Sequence, residues 1–239
     1  MKSIYLMIPL LLLASACKID MNINCVKGNG DEKTENRTVE PFTGVTASSG
    51  LDVEVVYGST CELAITGDAN LIEHIKTKRN VDTNTLEIST DECIDTKVPM
   101  RIRVQLPAIE KLASNSGANL HTTGKFQGAK LVLKSSSGSQ LACTGDFDQL
   151  TAETSSGSSM ELKGNSLKAS LKSSSGSHLS ASELYCNEAV CQASSGSFID
   201  VQAVQLFDGK ASSGSSISYK GSPKTVLQDT SSGGTIHGK

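Results

Sequence analysis

The sequence predicts an all-β protein in which a single chain winds into a right-handed parallel β-helix with coils of about 19 residues. A glycine that ends a Ser-Ser-Gly or Asn-Ser-Gly triplet recurs every 18 to 21 residues, at Gly117, Gly138, Gly157, Gly176, Gly196, Gly214 and Gly233. The third residue after each of these glycines is large and aliphatic: Leu120, Leu141, Met160, Leu179, Ile199, Ile217 and Ile236. Aromatic residues make up only 4% of the 239-residue chain, which favours narrow layers of aliphatic side chains.

Each repeat alternates apolar and polar residues on both sides of its triplet, which indicates two short strands with one buried face. The outward position four residues before the glycine reads Lys134, Glu153, Lys172, Gln192, Lys210 and Asp229. In parallel strands stacked in register, this column mostly avoids like-charge neighbours. Two other repeat architectures fit less well. A propeller blade needs about 40 residues, twice the length of the repeat, and leucine-rich repeats need a helical half that this repeat lacks. An antiparallel meander remains an alternative, but identical phase in every coil favours parallel stacking.

The Ser-Ser-Gly triplet is interpreted as a corner of the coil. Glycine adopts positive φ without a steric penalty, and stacked serine hydroxyls can bond each other and nearby backbone groups. This interpretation makes the serines structural rather than nucleophilic.

Residues 25–116 are less regular than the coils. The segment 48–58 repeats the coil pattern, and residues 61–67, 85–90 and 98–107 read as further strands. Between them, residues 68–75 predict one short helix with Asp68 as its N-cap.

The first residues predict export and lipidation. Lys2 precedes the apolar run 4–13, and Ala14-Ser15-Ala16 then leads into Cys17, which resembles a bacterial lipobox. We therefore predict a lipoprotein signal peptide over 1–16, lipidation of Cys17, and an outer-membrane lipoprotein of the cell envelope, facing either the periplasm or the outside. Residues 17–35 would form the lipidated N-terminus, tether and first strand. The β-helical domain would cover 36–239, with its repeating coils at 115–239.

Six cysteines follow Cys17, an even number that favours disulfides in an exported protein. Six cysteines allow fifteen pairings. Cys61 opens one predicted strand and Cys93 follows another, which suggests a bridge between them; Cys186 and Cys191 are further disulfide candidates. The chain has no Cys-x-x-Cys pair and its four histidines are scattered, so no metal site is predicted. A net charge of −3 without basic patches argues against nucleic-acid binding.

The succession from Cys25 through "ENRTVEPFTGVTASSGLDVEVVYGS" and "VPMRIRVQLPAIEKLASNSGANL" into the Ser-Ser-Gly coils resembles the DUF2807 family. Its members are described as GIN-type head domains of autotransporter-like adhesins and are common in Bacteroidota. The resemblance covers most of the chain from Cys25 onward. It implies a parallel β-helical fold, a lipoprotein or secreted context, and no established catalytic residues. No cofactor is predicted.

The leading functional prediction is therefore a non-catalytic, adhesin-like binding domain for a glycan or a matrix protein. Its predicted ligand face consists of Phe126, Phe147 and Tyr185, all nine residues after a triplet glycine; alternatively, these rings fill the core. A polysaccharide-active enzyme would use Glu161 and Asp200, which share one outward column two coils apart, about 10 Å. A purely structural envelope scaffold is the remaining alternative. Unpaired strands at the ends of the β-helix also suggest homo-oligomerisation.

Overall fold

The computed structural model describes residues 24–239. The predicted signal peptide (1–16), the predicted lipidation site Cys17 and the first part of the predicted tether lie outside these residues. Strands account for 64% of the described residues and helix for 1%, which confirms the all-β class. Within residues 24–239 the structure contains no helix of the length and apolarity needed to cross a membrane.

The irregular N-terminal region contains nine strands. They are β1 (Val26–Lys27), β2 (Glu32–Arg37), β3 (Gly44–Ala47), β4 (Asp52–Tyr57), β5 (Glu62–Asp68), β6 (Ile75–Asn80), β7 (Thr85–Thr90), β8 (Ile94–Asp95) and β9 (Arg101–Leu106). The coils contain ten more: β10 (Lys111–Ser114), β11 (Asn119–Thr123), β12 (Phe126–Ser135), β13 (Gln140–Thr154), β14 (Ser159–Ser173), β15 (His178–Ala193), β16 (Phe198–Ala211), β17 (Ser216–Lys220), β18 (Thr225–Thr230) and β19 (Thr235–Gly238).

The coils form a β-solenoid of about seven turns with about 19 residues per coil, as the glycine period predicts. Leu141 lies opposite Met160, Met160 lies opposite Leu179, and Leu179 lies opposite Ile199, all in parallel pairs. These four side chains are at most 2% exposed. The predicted aliphatic column is therefore the continuous core of the stack, because each coil buries its apolar face against the next.

Each triplet forms a tight turn. At residues 155–158 the Ser158 N–H donates to the Ser155 carbonyl (3.2 Å), and the two central residues, Ser156 and Gly157, have φ of 53° and 70°. Two successive positive φ values are typical of a type I′ turn. The serine before each triplet glycine thus shares the left-handed conformation that the sequence pattern assigned to glycine alone.

The residue after five of the seven triplet glycines is a buried serine, whose hydroxyl binds backbone groups. The Ser158 hydroxyl donates to the Ser135 carbonyl of the preceding coil (2.7 Å) and accepts from the Ser155 N–H (3.2 Å). Equivalent bonds from a buried serine hydroxyl to the preceding coil are made by Ser139 and Ser197. These hydroxyls satisfy polar backbone groups at the corner, so the column of serines that follows the triplets has a structural role.

The order of strands along the N-terminal end of the stack differs from their order in the chain. The coil β3–β4 lies between β7 and β9 on one side and β10 and β11 on the other, with all four pairings parallel. The chain thus leaves the stack after β4, builds the layer beyond it, and returns at β10. In that layer, β2–β5, β5–β9 and β6–β7 pair antiparallel.

The predicted helix at 68–75 is smaller in the structure. Only a 3₁₀ turn forms, at Ile72–His74, and its N-cap is Leu71. Asp68 belongs instead to the end of β5, where its buried carboxylate accepts the backbone N–H groups of Gly30 (2.6 Å), Lys97 (2.9 Å) and Val98 (3.0 Å). The Asp68 side chain therefore does not cap a helix, because its carboxylate is already bonded to three backbone donors from distant segments.

Replacing Asp68 by asparagine should destabilise the protein near neutral pH and do so less in acid. Burial raises the pKa of the Asp68 carboxyl, but the three backbone donors and the charge of Lys97 together outweigh it, so the pKa lies below the ordinary value of an aspartate. A carboxylate with a depressed folded-state pKa stabilises the fold above its unfolded pKa, and this contribution is lost as pH falls through the folded value. Thermal unfolding at pH 7 and at pH 3 should show the difference between variant and parent narrowing in acid; a constant difference would contradict this.

The structure contains a disulfide between Cys25 and Cys93. The suggested Cys61–Cys93 bridge is therefore wrong, and Cys61, Cys186 and Cys191 are free thiols. Cys25 reaches Cys93 because β1 pairs in parallel with β8, next to Cys93. Cys186 and Cys191 instead point into the solenoid core, where they are fully buried.

Thiol labelling of the native protein should distinguish the cysteines. Burial raises the pKa of Cys143 and of Cys186 to about 12, and that of Cys191 also rises. Because the thiolate is the nucleophile, iodoacetamide at pH 8 should label the half-buried Cys61 and spare these three until a denaturant is added. Peptide mass spectrometry measures this; native labelling of Cys143 would contradict the packing described.

Candidate functional site

Outward side chains of the solenoid stand in columns because the coils stack in register. In the predicted column of alternating charge, Lys134 lies opposite Glu153 and Glu153 opposite Lys172. The Lys134 Nζ and the Glu153 carboxylate are 2.9 Å apart. The lateral surface is thus a regular array of polar groups spaced by about 4.8 Å.

The two carboxylates considered for glycoside hydrolysis are engaged in surface ion pairs. Glu161 lies opposite Ser180, and Ser180 lies opposite Asp200, which places the carboxylates two rungs apart. Glu161 pairs with Lys163 at 2.9 Å, while Asp200 pairs with His178 at 3.3 Å. The side chains of Lys163 and His178 are 41% and 54% exposed, which is typical of ion pairs on a solvated surface. Among residues 24–239, no group of three or more His, Cys, Asp or Glu side chains could hold a metal ion.

The predicted ligand face does not form as a stripe of aromatic rings. Phe126 and Phe147 are 0% and 3% exposed, so for these two rings the core alternative is correct. The Phe126 ring packs edge-to-face on Tyr57 at 5.5 Å. Tyr185 alone of the three is exposed, at 54%.

Coil length explains why Tyr185 points outward. The interval from Gly176 to Gly196 is 20 residues, against 19 for the two intervals before it. The β14–β15 register slips by one residue after Glu161, and Tyr185 consequently lies opposite Asn165. A slip of one residue moves a side chain to the other face of a strand. The next interval is 18 residues, and the β15–β16 register is irregular on both sides of Tyr185.

Tyr185 lines a concave surface that we name the Tyr185 groove, with a volume of about 640 Å³. Leu167 from the coil before and Val204 from the coil after are also exposed, by 57% and 46%. Polar side chains surround these three residues: Gln127, Asp146, Asp148, Asn165 and Asn187. The groove therefore combines exposed apolar side chains from three coils with amide and carboxylate groups between and beside them.

The polar side of the groove is partly fixed by internal bonds. The Asn165 side chain donates to an Asp146 oxygen at 2.8 Å, and the Asn165 backbone N–H donates to the same atom at 3.1 Å. Lys125 forms an ion pair with Asp146. This lysine, together with Asn165, holds the pKa of the Asp146 carboxyl below the ordinary value.

Sequence reasoning missed Leu167 and Val204 as residues of the groove. The unequal lengths of the coils on either side of Gly196 are the signal that could have indicated the irregularity.

The model of the DUF2807 family, described as "Putative auto-transporter adhesin, head GIN domain", matches residues 41–223. Among solved structures, a putative adhesin from Bacteroides fragilis is similar, with a TM-score of 0.80 and 19% identity over 90% of this chain and 100% of that chain. A putative adhesin from Parabacteroides merdae has a TM-score of 0.71 and 18% identity over 90% and 98% of the two chains.

A putative lipid binding protein from Parabacteroides distasonis has a TM-score of 0.72 and 18% identity over 90% of this chain and 99% of that chain. No curated protein matches the sequence. The similar structures support the solenoid fold, and the family model covers more than half of the residues. The chain therefore belongs to the DUF2807 family.

Proposed function

We propose that this protein is a lipid-anchored protein of the cell envelope whose solenoid is a non-catalytic, adhesin-type binding domain. The observation that carries the proposal is the Tyr185 groove, a concave and partly apolar surface on the side of a rigid stack. The family description as a putative adhesin supports a surface-associated role. The proposed ligand is an extended polymer, either a glycan or a matrix protein, because the lateral columns repeat at a constant spacing.

The proposed anchor is a lipid on Cys17 in the outer membrane. The lipobox-like sequence before Cys17 supports it. Changing Cys17 to alanine should move the protein from the membrane fraction to the soluble fraction after cell lysis. In cells that carry the parent protein, protease treatment of the intact cells should degrade the domain if it faces outward and spare it if it faces the periplasm.

The main alternative is a polysaccharide-active enzyme using Glu161 and Asp200. Their ion pairs with Lys163 and His178 count against a catalytic pair, because a general acid needs surroundings that favour its neutral form. A structural scaffold without a ligand is the other alternative.

One experiment separates these functions. The purified full chain is applied to glycan and matrix-protein arrays, and the same glycans are assayed for new reducing ends and unsaturated products. We expect saturable binding without product. Product formation that disappears in Glu161→Gln or Asp200→Asn would establish the enzyme, and absence of binding to every glycan and protein would favour the scaffold.

We also propose that two copies associate through the ends of their solenoids. All six residues of β18 are exposed, including Val226 at 41% and Leu227 at 51%. Among the described strands, β18 forms a ladder with β16 alone, so one edge is open to pairing. Light scattering after gel filtration should report a dimer that Leu227→Lys dissociates.

A further inference from the structure

We infer that the Tyr185 groove is a subsite for a neutral pyranose sugar, with the Tyr185 ring as the stacking platform. The inference rests on the proposed binding function and names the ligand class for its groove. Three observations support it: the exposure of the Tyr185 ring, the charges around the ring, and the local irregularity of the solenoid.

The Tyr185 ring differs from the other exposed aromatic rings. Tyr57 packs against Phe126 at 5.5 Å, and Phe198 lies 6.4 Å from the His178 ring. Among residues 24–239, Tyr185 has no comparable aromatic neighbour, although 54% of the residue is exposed. A half-exposed ring in a concave surface presents an apolar face and a polar hydroxyl, which suits the C–H face and hydroxyl edge of a sugar.

Two further exposed apolar side chains lie near the ring. Tyr185 itself is opposite Asn165 and Gln202. Leu167 and Val204 come from the coils before and after it, at the level of Asn187. The exposed apolar groups therefore span two rung spacings, about 10 Å, a length along the solenoid axis that accommodates more than one ring of a chain-like ligand. This geometry favours an oligosaccharide over a single sugar.

The flanking groups favour a neutral sugar. Lys125 neutralises Asp146, whereas Asp148 forms no ion pair within the part of the chain that the structure describes. The groove therefore presents a net negative charge, which repels uronate or sulfate groups. The amides of Gln127 and Asn187 and the Asp148 carboxylate can bond sugar hydroxyls, since amides donate and accept and carboxylates accept.

The solenoid loses its regularity at this groove. Among the parallel pairs of the described coils, register shifts occur in β14–β15 and β15–β16, and those of β15–β16 lie on either side of Tyr185. β-Bulges bend a strand and redirect its side chains, and they are over-represented beside functional sites. Here the shift brings Tyr185 outward, whereas Phe147, at the same distance from its glycine, is buried.

The chain contains no tryptophan, which allows a direct test. Tyr185→Trp in the full chain places a sole indole in the groove, and its emission should change saturably when neutral oligosaccharides of glucose, xylose or mannose are added. Calorimetry with the same sugars should show about tenfold weaker binding for Tyr185→Ala than for the parent. Phe198→Ala, which removes an exposed ring from a different surface, should bind within about twofold of the parent.

The outcomes separate this inference from the proposed function. If neutral glycans bind but Tyr185→Ala binds as tightly as the parent, the inference is wrong and the binding function stands. The inference is also wrong, and the binding function again stands, if oligogalacturonates bind as tightly as neutral sugars or if only a matrix protein binds. If the parent binds none of these ligands, both proposals fail.

Discussion

Replacing Phe147 by alanine is expected to lower the free energy of unfolding by about 3–5 kcal/mol, whereas Tyr185→Ala should change it by no more than about 0.5 kcal/mol. Both residues follow their triplet glycine by nine positions. Phe147 is 3% exposed and Tyr185 is 54% exposed. Truncating a buried ring loses its transfer free energy and leaves a cavity that the stacked coils cannot close, because each coil is held in register by its neighbours.

Close packing around Phe147 supports the upper part of this range. A methyl group added to Gly145 would come within 2.5 Å of the Phe147 ring, so the ring occupies space that the glycine leaves free. Urea denaturation of both variants measures the difference, with the m-value as a check that the same surface unfolds. Equal effects of the two substitutions would show that the one-residue slip between the coils is absent in solution.

The solenoid itself was predictable because its rule is local and repeated. A type I′ corner needs residues that tolerate positive φ, and the buried column needs an aliphatic residue three positions later. Both requirements recur in every coil, so the period, the parallel stacking and the core column all follow from the sequence. At the N-terminal end the rule fails. Nothing in "SSGLDVEVVYG" shows that its coil lies between β9 and β11, because that order depends on contacts between distant segments.

The candidate site was only partly predictable, for a related reason. Counting from the glycine assigns Phe147 and Tyr185 the same orientation, and this holds only while coils have equal length. One extra residue in the coil of Tyr185 moves it to the opposite face, and counting does not show where within the coil the extra residue is absorbed. The side chain of Asp68 presents the same difficulty, since the N–H groups that hold it come from residues about 30 to 40 positions away.

Removing the disulfide by Cys25→Ser with Cys93→Ser is expected to lower the free energy of unfolding by about 2–4 kcal/mol. The bridge spans a sequence separation of 68 residues, and closing so long a loop removes much conformational freedom from the unfolded chain. Without it, β1 is held to β8 through two residue pairs in an isolated two-stranded sheet, which is marginal on its own. Thermal unfolding of the double variant should match that of the reduced parent, and dithiothreitol should leave the variant unchanged.

The disulfide should also be coupled to Asp68. The bridge fixes the start of the segment that carries Gly30, whose N–H donates to the Asp68 carboxylate at 2.6 Å. Loss of the bridge frees that segment, so Asp68→Asn should cost less free energy of unfolding in the serine double variant than in the parent. A cycle of the four proteins measures this difference. Strictly additive effects would mean that β1 and the Asp68 cluster stabilise the N-terminal layer independently, and that the disulfide acts on the unfolded chain alone.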